Sequence, residues 1–152
     1  MTDTGICIHE STHAVVALRL GLSVREVRAR GWIKVPKYCT QLYPGLVRGI
    51  PYKGAICLLE EDCLDTDPFE VLVAMAAPSY LPTDDRRINQ YAGLEAMLAY
   101  RYGDKHGIPH AGIQARAEQV TAEFEQDIYA LAARLEQEGV IDGQDLYLPA
   151  LS

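Results

Sequence analysis

His9-Glu10-Ser11-Thr12-His13 is the stretch whose residue types and spacing could do chemistry. On a helix, positions i and i+4 share a face about one turn apart, so both imidazoles point the same way. Two imidazoles at that separation can fill two corners of a tetrahedral zinc site. Glu10 stands beside them, where it can act as general base on a water at the metal. In a chain of this composition the HExxH pattern arises by chance roughly once in a hundred sequences. The plain alternative is two solvent-facing histidines on an ordinary helix.

That chemistry needs a helix under it, and the surrounding sequence predicts one from Gly5 to Leu20. Asp3 and Thr4 can cap its start, Gly21 can end it, and Val15, Val16, Leu18 and Leu20 give it a buried character. Residues 23–59 change pattern. Runs at 24–29, 32–35, 46–50 and 55–59, cut by Gly and Pro, predict a small, mainly antiparallel sheet with a long loop around Pro36 to Gly45. Asp67-Pro68-Phe69-Glu70 reads as a helix start, with Asp67 as cap, Pro68 at the first position and an end near Pro78. A further helix is expected from Thr83-Asp84-Asp85 to about Tyr102, then a loop from Gly103 to Gly112. Apolar residues from Ile113 to Leu135 recur every three or four positions and predict one long helix ended by Gly139. The fold class is therefore α+β with helices in the majority, as one domain over residues 1–152.

Bulk composition narrows the function. The 152 residues are 49% apolar and 23% charged, which suits a globular domain. A net charge of −7 argues against nucleic acid or an anionic membrane as partner. No run of 18 apolar residues occurs, and the polar start lacks a secretory leader, so a cytoplasmic location is expected. The cysteines at 7, 39, 57 and 63 form no CxxC pair and read as reduced, mostly buried thiols. A sharper alternative has Cys39, in a loop, bind the zinc and hold an enzyme off.

A catalytic zinc usually takes a third protein ligand. Asp84, Asp85, His106, His110 and assorted glutamates are the candidates. Gly107 and Pro109 between the two histidines argue against a shared helical face, and both aspartates could simply favour a helix start. Residue types alone leave the choice open.

The run Ile8-His9-Glu10-Ser11-Thr12-His13-Ala14-Val15-Val16-Ala17 resembles the opening of the zinc peptidase domain of FtsH-like proteases. In that family the motif reads HEAGHA, and an Asp in a later Ser/Asn-Asp segment is the third zinc ligand. The matching stretch is Pro82-Thr83-Asp84-Asp85-Arg86-Arg87-Ile88, so the resemblance implies Asp85 as ligand. The tail from Leu135 to Leu146 is similar to the family's closing helix and turn, which carries the resemblance over nearly the whole chain. Ser11-Thr12 replace the family's Ala-Gly, and Ala74 to Tyr80 lacks the family's Glu, which removes an expected outer support of the site. No GxxxxGK[ST] nucleotide motif occurs, so the ATP-driven module is absent.

The resemblance and the motif together imply a zincin-like metallopeptidase domain holding Zn2+ through His9, His13 and Asp85, with Glu10 as general base. Its substrates would be peptides or unfolded protein segments, held as an added strand on a sheet edge within residues 46–59. A partner protein could supply unfolding or targeting. Two other readings use the same residues: a non-cleaving, zinc-stabilised binding module, closed by a fourth ligand such as His106, His110 or Cys39, and a zinc hydrolase of small amides.

Overall fold

A computed structural model of the chain describes residues 3–148, without the side chain of Asp3. Residues 1, 2 and 149–152 of the expected domain lie outside it, as does the expected capping side chain of Asp3. The first helix, α1 (Asp3–Arg19), ends before Gly21, whose φ of +85° is the conformation glycine adopts at helix C-termini. Cys7, Ala14, Val15, Val16 and Ala17 are fully buried, so this helix is apolar on more than one face. It runs through the centre of the molecule, as a helix of that composition must.

Two small antiparallel sheets follow. Strand β1 (Val24–Arg28) is the middle of the first, flanked by β4 (Ile56–Leu59) and β5 (Val140–Asp142). Strands β2 (Trp32–Lys34) and β3 (Pro51–Lys53) pair separately. The run 46–50, expected as a strand, forms turns instead. The expected loop after Pro36 contains helix α2 (Lys37–Leu42), because Tyr38, Cys39 and Leu42 give it one buried face.

The short α3 (Cys63–Thr66) leads into α4 (Pro68–Ala76), with Pro68 in the first turn as expected. Asp67 does not cap it through its side chain, which accepts from Thr66 Oγ1 at 2.9 Å. A 3₁₀ turn (Ala77–Tyr80) precedes α5 (Arg86–Lys105). The long C-terminal helix breaks at Phe124 into α6 (His110–Glu123) and α7 (Glu125–Glu138). The Phe124 ring lies under the Arg19 guanidinium, 4.4 Å from its centroid, and Arg19 pairs with Asp127 at 2.8 Å. Those contacts hold α7 against α1. The fold is α+β, mainly helical, and β5 closes the chain onto β1 next to its beginning.

Candidate metal centre

Helix α1 presents His9, Glu10 and His13 together, and their ligand-capable atoms lie within 4.8 Å of one another. His9 and Glu10 are buried and His13 half-buried. His13 Nδ1–H donates to the Ala74 carbonyl of α4 at 2.7 Å, which turns Nε2 toward the site. A histidine fixed in this way through its other nitrogen is set up as a metal ligand. The Ala74 to Tyr80 segment therefore meets His13 through a backbone carbonyl. Ser11 and Thr12 are both fully buried; Thr12 Oγ1 donates to the Ile8 carbonyl at 2.7 Å, while Ser11 Oγ is buried without a hydrogen-bond partner.

The carboxylate that the structure brings to the two histidines comes from α5, and it is Glu95. Its Oε1 lies 2.6 Å from His9 Nε2 and 3.2 Å from His13 Nε2. Asp85, implied as ligand by the resemblance, stands ten residues earlier on the same helix. That is about 15 Å along the axis at a rise of ~1.5 Å per residue. Asp85 Oδ1 accepts from the Arg87 and Ile88 backbone N–H groups at 3.0 and 3.3 Å, so it serves as the helix cap. Asp84 is exposed. His106 and His110 lie at the α5–α6 junction, stacked on Tyr102 and Tyr100 at centroid distances of 4.1 and 3.6 Å, away from the site. Cys39 is on α2, not in a loop, and faces a cavity next to the site.

Glu95 carries a signal in the sequence. Ile88, Ala92, Ala96 and Ala99 mark the buried stripe of α5, and Glu95 falls on it. A carboxylate on such a stripe is rarely buried unless it is paired. Two tyrosines complete its surroundings and had no sequence signal. Tyr43, just after α2, donates its hydroxyl to Glu95 Oε2, leaving Oε1 for the histidines. Tyr91, one turn before Glu95, packs its ring 5.6 Å from that of His9.

The electrostatics follow from burial. Burial alone pulls the His13 imidazole down, but the charge and hydrogen bond of Glu95, then Glu10 and the Ala74 carbonyl, lift it to about 9. Burial alone would raise Glu95; His13 and His9 reverse this and hold it well below the usual carboxylate range. Glu10 is raised, chiefly by burial, with the histidines acting against the rise and Glu95 adding to it. Two imidazole nitrogens and one carboxylate oxygen on a common point are a donor set that suits zinc. Bonds of about 2.0–2.1 Å place tetrahedral donors roughly 3.3 Å apart, close to the 3.2 Å of the His13 pair, whereas the His9 pair at 2.6 Å is at hydrogen-bond distance and must open to admit an ion.

Comparison with models of known families, with curated proteins and with solved structures finds no match to this chain.

Proposed function

We propose that this chain is a zinc-dependent metallopeptidase of the zincin type, akin to the peptidase domain of FtsH-like proteases and cytoplasmic. His9, His13 and Glu95 hold the metal and Glu10 is the general base. The observation that carries the reading is the convergence of both Nε2 atoms on one buried oxygen of Glu95, with Glu10 alongside. The HExxH pattern and its likeness to the FtsH-like opening support it. Among the described residues no helix is long and apolar enough to cross a membrane.

Zinc in this set would polarise a scissile carbonyl and bring water toward acidity near neutral pH. The Glu10 carboxylate takes the attacking water's proton and passes it to the leaving amine nitrogen. The Ala74 carbonyl and the Tyr43 hydroxyl keep His13 and Glu95 aimed, so that little reorganisation accompanies reaction. Strand β4 is at an edge of its sheet, and Ile56 and Cys57 face the same cavity as Glu10 and His13. This supports binding of the substrate as an extended strand beside β4. Without a nucleotide-driven module in these residues, the substrates are peptides or unfolded segments, or proteins opened by a partner.

Casein digestion by zinc-loaded wild type, compared with Glu10→Gln, tests the reading. Wild type is expected to cleave, and the variant to keep one zinc per chain while losing cleavage by at least 100-fold. Equal cleavage by both would remove Glu10 from the mechanism. Zinc binding without cleavage of any peptide would favour the non-cleaving module.

A further inference from the structure

A cavity of about 270 Å³ opens beside the candidate centre. Glu10, His13 and Glu95 are at one side of it. Its remaining walls include Ile33 and Val35 from β2 and its end, Leu42 from α2, Leu59 from β4, and Val71 and Met75 from α4. Tyr43, Tyr52, Cys57 and Tyr91 also line it, and the Tyr43 hydroxyl is taken by Glu95. Tyr38 Oη accepts from the Leu59 N–H at 2.8 Å, and burial pushes the Cys39 thiol up to about 12, so it stays protonated and behaves as a small hydrophobe. Among the described residues lining the cavity there is no lysine or arginine. A charged side chain entering it would lose its water without gaining a counter-charge beyond the carboxylates at the centre.

The geometry points to a specificity pocket: we propose that this cavity takes one large apolar side chain, of the size of Leu, Met or Phe, from a peptide lying along β4. The inference rests on the peptidase reading and names the substrate class of that site. The arrangement gives the reason. A chain laid antiparallel on a strand edge sends alternate side chains to the same face. With its scissile carbonyl at Glu10 and His13, the adjoining side chain on that face enters the cavity. Burying it there contributes to binding in proportion to the apolar area removed from water. Leu46, in the turns between α2 and β3, lines the cavity and is exposed. It offers the peptide further apolar surface at the pocket.

The test uses zinc-loaded full-length protein. Cut sites in casein are first mapped by mass spectrometry. Quenched fluorescent peptides follow, identical except for Gly, Ala, Leu, Phe, Asp or Lys at the residue flanking the cut. In parallel, Glu10→Gln is titrated with the same peptides to read affinity without turnover. Leu and Phe peptides are expected to exceed the Ala peptide by about 10- to 100-fold in kcat/KM, with Asp and Lys lowest. Ile33→Trp, which fills the cavity from the half-buried β2, is expected to lower the Phe-to-Ala ratio by about tenfold or more. Leu42→Ala, which widens it, is expected to shift preference toward the larger side chain and gives a second variant if Ile33→Trp does not fold. Equal rates and affinities across the panel would overturn the pocket while leaving the peptidase reading intact. Absence of cleavage, with Glu10→Gln still binding Phe over Ala in an Ile33-dependent way, would sink the peptidase reading and keep the pocket. Neither cleavage nor selective binding would overturn both.

Discussion

Two of the carboxylates on helix α5 and its cap have opposite fates. Asp85, at its first turn, is half-exposed and spends an oxygen on the backbone N–H groups of Arg87 and Ile88. Glu95, nearly three turns on, is buried and turned into the body of the molecule, with one oxygen on two histidines and the other on a tyrosine hydroxyl. The helix is the same and the functional group is the same. What differs is the partner each one faces: unsatisfied helix-end donors in one case, cationic or metal-seeking imidazoles in the other. A carboxylate takes its role from the donors nearest to it, and family register is a weaker guide than that geometry.

The comparison can be broken in order of expected effect. Glu95→Ala should be the most severe. Zinc affinity is expected to fall by more than the ten- to hundredfold typical of losing an outer partner, with cleavage lost, as read by metal content after dialysis. Tyr43→Phe comes next. It removes the hydroxyl from Glu95 Oε2 but leaves the ring, so zinc affinity should fall by about tenfold with the far-ultraviolet dichroism unchanged. Asp85→Ala should leave zinc at one per chain and lower stability by about 1 kcal/mol, the usual effect of losing a helix cap, measured by urea unfolding. Asp84→Ala should be the mildest, within about 0.5 kcal/mol and without effect on metal, because the residue is exposed. If Asp85→Ala emptied the site while Glu95→Ala kept its zinc, the two carboxylates would exchange roles and the register implied by the FtsH-like resemblance would be restored.

Local signals carried the reading of the chain where the physics was local. The HExxH spacing, Pro68 at a helix start, the glycines at 21 and 139 and the three-to-four periodicity beyond Ile113 all act over a few residues. They predicted α1, α4 and most of the C-terminal helix pair. The misses are places where packing overrode the local pattern. Residues 37–42 look like part of a loop between prolines, yet burial of Tyr38, Cys39 and Leu42 makes them a helix. The C-terminal helix has continuous periodicity, yet it breaks at Phe124, where the ring takes up the Arg19 guanidinium. Strand β5 exists because it finds β1 more than a hundred residues away, a pairing that no short window contains.

The site divides along the same line. His9 and His13 were legible in the sequence, since a helix repeat alone puts them on one face with Glu10 beside His9. Glu95, Tyr43 and Ala74 come from three other elements and meet α1 only because α4 and α5 pack against it. The sequence by itself determined the chemical repertoire and the spacing of its first members. The tertiary structure decided which of many carboxylates meets the two histidines, because that choice depends on distances between segments that the chain order does not encode.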